Sequence, residues 1–198
     1  MFTGLVTHTG RVRAVLDEAG GRAFEVESDM DPGVGASVAH AGVCLTVTDR
    51  AEGGWRVYAS PETLRRTSIG TWGRGTLVNL EASLRLGDEL GGHLVFGHVD
   101  AIGELVGLAD EGASHRMTFR LPDAVAPLVA VKGSIAVDGV SLTVTEATGD
   151  GFSVSVIPHS WEATTLKDRR IGDPVNLEAD MLARYVARQL SFMDRAHG

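Results

Sequence analysis

The chain has 198 residues, 43% of them hydrophobic and 22% charged, and a formal net charge of −8. That is an ordinary soluble globular composition with room for one large domain or two small ones, and its acidic balance argues against a nucleic-acid partner, since the basic clusters Arg65-Arg66 and Lys167 to Arg170 are short and flanked by acids. The single cysteine, Cys44, excludes an internal disulfide and a cysteine-rich zinc motif, and no apolar run approaches the ~18 residues of a membrane span, so the expectations are no metal, no membrane and a cytoplasmic location.

From the N-terminus the chain offers a succession of short Val-, Thr- and Gly-rich runs: GLVTHTGRVRAV, RAFEVES, ASVAHAGVCLTVT, GWRVYAS and TLVNLEAS. Runs of this kind, bounded by Gly, Asp, Pro or Asn, predict a many-stranded antiparallel protein with tight turns. Between two of them, SPETLRRTS predicts a short helix with Ser60 as N-cap and Pro61 at its first position. At the C-terminus the pattern changes. In ADMLARYVARQLSFM the apolar residues Leu182, Tyr185, Val186, Leu190 and Met193 fall on one helical face, with Asp180 placed to cap the start.

The sequence also repeats itself. SVAHAGVCLTVT at 37–48 and SIAVDGVSLTVT at 134–145 agree at eight of twelve positions, 97 residues apart. The same offset pairs VNLEA at 78–82 with VNLEA at 175–179, and a slightly different one pairs Gly4-Leu5-Val6 with Gly97-His98-Val99. Matched blocks in a single order predict two homologous domains, 1–86 and 93–180, joined by a junction at 87–92 that contains Gly91-Gly92 and followed by a helix and tail at 181–198. Within each repeat the strand alternates. Val43, Leu45 and Val47 share one face and Cys44, Thr46 and Thr48 the other; Val140, Leu142 and Val144 likewise oppose Ser141, Thr143 and Thr145. Each half therefore presents a polar strand face, and the two faces differ at Cys44 and Ser141.

MFTGLV, GVCLTV, LGDELGGHLVFGHVD, DGVSLTV and VNLEAD, in this order over essentially the whole chain, resemble the riboflavin synthase family of the alpha chain type. The resemblance implies an all-β fold of two homologous six-stranded antiparallel Greek-key barrels plus a C-terminal α-helix, assembled as a homotrimer. It implies two bound molecules of 6,7-dimethyl-8-ribityllumazine and transfer of a four-carbon unit between them, giving riboflavin and 5-amino-6-(D-ribitylamino)uracil without metal, nicotinamide or flavin cofactor. It further implies an N-barrel ligand segment of Gly4, Leu5, Val6, Cys44, Leu45, Thr46, Tyr58, Ala59, Ser60, Pro61, Glu62 and Thr63. The corresponding C-barrel segment is Gly97, His98, Val99, Lys132, Ser141, Leu142, Thr143, Ser155, Val156, Ile157, Pro158, His159 and Ser160, and Phe2 resembles a residue that closes the site. The resemblance places catalytic roles on Cys44, or a water or ribityl hydroxyl near it, as the group adding to C7 of one lumazine, on Ser141 with Thr143 as stabilisers of the other or of its exomethylene anion, on His98 as proton carrier, and on Asp138 and Asp180 as orienting groups or proton acceptors.

Structural readings stand beside these: Asp138 as a turn residue before Gly139, Asp180 as a helix cap, His98 as a strand histidine bonded to backbone, and His93 as part of the junction. The chain departs from the family pattern at Phe96, where a small polar residue is usual, and at Ala41, where Asn is common. A binding protein of the same fold that carries lumazine or flavin without turnover is the competing expectation, since fold alone does not decide function.

Overall fold

A computed structural model of the chain describes residues 1–18 and 20–196. The first half contains β1 (His8–Glu18), β2 (Gly21–Glu27), β3 (Ser37–His40), β4 (Val43–Ala51), β5 (Gly54–Ala59), α1 (Pro61–Arg66) and β6 (Leu77–Ala82). The second contains β7 (Ala101–Glu111), β8 (Ser114–Arg120), β9 (Ser134–Val137), β10 (Val140–Ala147), β11 (Gly151–Val156), α2 (Pro158–Ala163) and β12 (Pro174–Ala179), and α3 (Met181–Ala196) follows. Each set of six strands closes into an antiparallel barrel, in the order β1-β2-β5-β4-β3-β6 and its counterpart β7-β8-β11-β10-β9-β12. The architecture is all-β, as expected.

The alternation in the sequence is the reason the barrels close. Val43, Leu45 and Val47 point inward with Phe24, Trp55 and Leu80; Val140, Leu142 and Val144 do so with Met117, Phe119 and Phe152. Each such side chain withdrawn from water contributes roughly 1.5–3 kcal/mol. Curvature comes from bulges at matched places: the register shifts between Val12 and Ala14 and between Val47 and Asp49 in the first barrel, and between Leu105 and Gly107 and between Val144 and Glu146 in the second.

The barrels meet about a pseudo-twofold axis between two glycines. A Cβ on Gly42 would stand 2.7 Å from the backbone nitrogen of Gly139, and one on Gly139 would stand 2.7 Å from that of Gly42. Both also hold positive φ, 78° and 79°, so no other residue fits. The repeated asparagines clasp this contact. Asn79 donates its side-chain amide to the Asp138 carbonyl at 2.9 Å and accepts from the Thr165 N–H at 2.8 Å. Asn176 donates to the Ala41 carbonyl at 2.8 Å and accepts from the Ser68 N–H at 2.7 Å.

At the C-terminus α3 begins where Asp180 accepts from the Leu182 N–H at 2.9 Å, as the capping pattern predicts. Its apolar stripe of Leu182, Tyr185, Val186, Leu190 and Met193 is more than half exposed.

Candidate functional site

The polar strand faces lie on the outside of the barrels. Cys44 and Ser141 are half-buried there, and Thr46 and Thr143 are exposed. What partly covers them is the leading segment of the opposite repeat. The Cys44 N–H donates to the Gly97 carbonyl at 3.0 Å, and the Ser141 N–H donates to the Gly4 carbonyl at 2.8 Å. A Cβ on Gly97 would lie 2.5 Å from Cβ of Cys44, and one on Gly4 would lie 2.5 Å from Cβ of Ser141. Val99 packs on the first barrel's core and Val6 on the second's. The expected grouping is therefore corrected: Gly97, His98 and Val99 belong with Cys44, while Gly4, Leu5 and Val6 belong with Ser141. The segments cross the pseudo-twofold axis.

A carboxylate holds each crossing segment. Glu81 on β6 accepts from the Thr3 N–H and hydroxyl, both at 2.7 Å, and from the Gly4 N–H at 3.0 Å. Glu178 on β12 accepts from the Phe96 N–H at 2.7 Å and the His98 N–H at 2.9 Å. Burial raises both carboxyl groups above the usual range, against the opposing pull of these donors. The two segments also pair with each other through Phe2 and Val95, and Phe2 is fully enclosed with Val95, Ala39 and Ala136. Phe2 is thus an anchor of the crossing rather than a lid, since no ligand on the outer face can touch it.

Ser141 has a further partner. Nδ1 of His93 lies 2.7 Å from its Oγ, the His93 N–H donates to the Thr3 carbonyl at 3.0 Å, and Nε2 is buried with no partner among the described residues. Burial lowers the His93 pKa below its ordinary 6.5, and the charge of Asp180 opposes that shift. Asp180 is then both the cap of α3 and a charge felt by this imidazole.

The strand that follows each polar face supplies the rim. Val47 pairs with Val57 and Val144 with Val154, which carries Tyr58 along beside Thr46 and Ser155 along beside Thr143. Beyond β5, Ser60 caps α1 by accepting from the Thr63 N–H at 3.2 Å, and Glu62 pairs with Arg65 and Arg66. Beyond β11, Ile157 occupies the cap position of α2 without a side-chain bond, and Pro158, His159 and Ile157 are exposed beside a half-buried Ser160. Lys132 sits in the turn before β9 with φ 68°, where the first repeat has Gly35 at 86°.

Several expected ligand residues reach the outer face only through their backbone. Leu45, Ala59, Leu142 and Val156 point into the cores. Asp138 is corrected more strongly. It is fully buried, accepts from the Asn176 N–H at 2.8 Å, and pairs with Arg169 at 2.7 Å. It fastens the barrel junction and meets no ligand surface. His98 is exposed beside Phe96, their ring centroids 6.0 Å apart. Sequence reasoning overlooked Glu81, Glu178 and the His93–Ser141 pair. The repeated Glu in VNLEA was the available signal, because a carboxylate at the same place in two apolar strands needs a buried set of donors. Among the described residues no group of three or more His, Cys, Asp or Glu side chains is placed to hold a metal ion, and no helix is long and apolar enough to cross a membrane.

The lumazine binding domain family is matched twice, by residues 3–83 and 96–180. The chain is 48% identical to the riboflavin synthase of Brucella abortus over 95% of this chain and 97% of that one. It is 43% identical to the riboflavin synthase of Mycobacterium tuberculosis, with the same coverage. Among solved structures, LumP complexed with 6,7-dimethyl-8-(1'-D-ribityl) lumazine and LumP complexed with riboflavin share the fold at TM-scores of 0.81 and 0.83. Their sequence identities are 17% and 18%, over 90% of this chain and 99% of theirs.

Proposed function

The chain belongs to the riboflavin synthase family, and on that premise we propose that it converts two molecules of 6,7-dimethyl-8-ribityllumazine into riboflavin and 5-amino-6-(D-ribitylamino)uracil. One observation carries this reading. Cys44 and Ser141 stand at equivalent points of two barrels, each bound through its N–H to a glycine carbonyl of the other repeat, yet they differ in side chain and in access to an imidazole. Two like molecules with unlike tasks call for two such surfaces. Holding donor and acceptor in attack geometry can supply about 7–11 kcal/mol of a bimolecular barrier.

In this reading the outer faces around Cys44 with Thr46 and around Ser141 with Thr143 bind one lumazine each, their hydroxyls meeting the ribityl chain. The rims are Tyr58 to Thr63 and Ser155 to Ser160, with Lys132 beside the second. The Cys44 thiol adds to C7 of one lumazine. Ser141, donating its hydroxyl hydrogen to Nδ1 of His93, serves the other by moving the proton of its C7 methyl, and the exposed His98 moves protons on the Cys44 side. Riboflavin remains as the bound product. The exposed stripe of α3 is the assembly surface of a homotrimer, in which each face is closed by a neighbouring subunit, and the enzyme works in the cytoplasm. The domains follow the repeats, 1–86 and 93–180.

The test needs only the protein and the lumazine, with riboflavin absorbance followed in time. Turnover without any addition supports the reading. Tight binding with no product would leave a carrier of lumazine or flavin instead. Within the enzyme, Cys44→Ala is expected to keep riboflavin binding and to slow turnover about tenfold or more; an unchanged rate dismisses the thiol.

A further inference from the structure

The two rim helices are built on one plan and fastened by different chemistry. Leu64 on α1 and Trp161 on α2 occupy equivalent positions, and each packs, partly buried, on the core of its own barrel. Under them lies a second equivalent pair. Arg22 stands opposite Ala59 on β5, and His115 stands opposite Val156 on β11. Each is paired with an aspartate on the neighbouring strand: Arg22 with Asp17 at 3.0 Å, His115 with Asp110 at 2.9 Å.

From there they diverge. Arg22 passes beneath α1 and donates to the Gly70 carbonyl at 3.0 Å, and α1 is secured by its own Ser60 cap and by Glu62 with Arg65 and Arg66. On the other side α2 has no side-chain cap. Its Trp161 instead lies flat on His115, with ring centroids 3.9 Å apart and planes inclined by 23°. A six-residue helix is too short to persist on propensity alone and needs a cap or a tertiary contact. For α1 the N-terminal cap is local; α2 is closed at its C-terminal end by Lys167 on Glu162 and by the Thr164 hydroxyl on the Ser160 carbonyl, and what stands in for the missing N-terminal cap is this stack.

We infer that Trp161 and His115 are positioning residues that hold the rim segment Ser155–Ser160, so that one ligand surface depends on a tertiary ring stack while its counterpart at Tyr58–Thr63 depends on a local cap. Neither ring touches the reacting atoms in this arrangement. The aspartate Asp110 fixes the imidazole edge, the imidazole fixes the indole, and the indole fixes the backbone that carries Ile157 and Ser160. The inference rests on the reading of the two barrel faces as lumazine sites, and it makes those sites separable by mutation.

The experiment uses the full chain, riboflavin as the probe, and the variants Trp161→Leu and Trp161→Phe. Leu is the residue that the first repeat carries at this point, and Phe keeps an aromatic face. Loss of the stack is expected to weaken one of the two riboflavin sites by about threefold to tenfold, with the other unchanged and the Phe variant within about twofold of the parent. Backbone amides at 159–164 are expected to lose exchange protection in Trp161→Leu while those at 62–67 keep theirs. Equal weakening of both sites, or unchanged exchange at 159–164, overturns the inference. If the parent protein binds neither riboflavin nor lumazine, the ligand reading fails, and the exchange measurement still decides whether the stack holds α2. Ser60→Ala is the mirror experiment: it is expected to weaken the site that Trp161→Leu spares, and weakening of the same site would count against separate fastening.

Discussion

Nδ1 of His93 stands 2.7 Å from Oγ of Ser141, while among the described residues no imidazole is hydrogen-bonded to Cys44. The two repeats thus differ in proton chemistry at the one place where their strands are otherwise superposable. Ser141→Ala is expected to slow turnover about tenfold or more while riboflavin binding changes by no more than a few fold. Burial keeps His93 below its ordinary pKa of 6.5, so it is neutral and able to accept a proton at neutral pH, and the rate should fall only where acid protonates it. His93→Gln should remove that acid limb from the rate–pH profile. A profile that keeps its shape takes His93 out of the proton path.

Glu81 belongs to the first barrel but holds the segment that covers Ser141, and Glu178 of the second barrel holds the segment that covers Cys44. Each glutamate should therefore matter to the site on the other barrel. A glutamine at either place offers one acceptor oxygen and turns an NH2 toward an N–H, which leaves a buried donor unmet at a cost of about 1–3 kcal/mol. Glu81→Gln is expected to lower the urea midpoint and to impair the Ser141 side more than the Cys44 side, and Glu178→Gln the reverse. Riboflavin titrations resolved into the two sites, with Ser60→Ala marking the Cys44 side and Trp161→Leu the Ser141 side, read this directly. Impairment on the glutamate's own barrel would contradict the crossing.

The barrels were legible in the sequence because alternation in VCLTVT and VSLTVT dictates which side chains face the core, and α1 was legible because Ser60, Pro61 and Glu62 act on their immediate neighbours. The crossing was not. A repeat tells which segments are alike, and Gly4 and Gly97 are alike, but partnership across a twofold axis depends on tertiary geometry that identical sequences share. One trace was present: the leading segments repeat at a different offset from the strands that they cover. Asp138 was misread for a related reason. A turn aspartate before glycine looks the same whether it faces solvent or, as here, is buried against a partly exposed Arg169 supplied by a distant loop.

Lys132 holds φ at 68° where Gly35 serves the first repeat at 86°. A non-glycine residue in this region costs about 1–2 kcal/mol, and the chain keeps it here, where the Lys132 N–H donates to the Val144 carbonyl of β10 at 2.9 Å. Strain retained at such a place suits a side chain needed for ligand binding. Lys132→Gly is expected to raise stability by about 0.5–1 kcal/mol, after the greater freedom of unfolded glycine is set against the relieved strain. The same variant should bind riboflavin about fivefold or more weakly at one site. A destabilised variant, or one that binds as before, removes the lysine from the site.

Trp55 donates its indole N–H to Nε2 of His40 at 3.0 Å, so the imidazole proton lies on Nδ1, which donates to the Val38 carbonyl at 3.0 Å. The pair is enclosed in the first barrel, and the second barrel has Val137 and Phe152 in its place. Burial lowers the His40 pKa to about 4. The unfolded chain takes up this proton near pH 6.5 and the folded chain only near 4, so acid favours unfolding throughout that window. The contribution, about 3 kcal/mol, is fully present above pH 6.5, declines as pH falls and is spent by pH 4. The raised carboxyls of Glu81, Glu178 and Asp138 act in the opposite sense, because they bind protons more readily folded than unfolded. The effect of His40 is therefore best isolated by difference. In the double variant His40→Val with Trp55→Phe, which installs the second barrel's residues, the smaller side chains lower stability at every pH. Between pH 6.5 and 4 the urea midpoint should nevertheless fall less, or rise more, on acidification than it does in the parent. Parallel curves would show that His40 titrates alike in both states and that its burial carries no pH dependence.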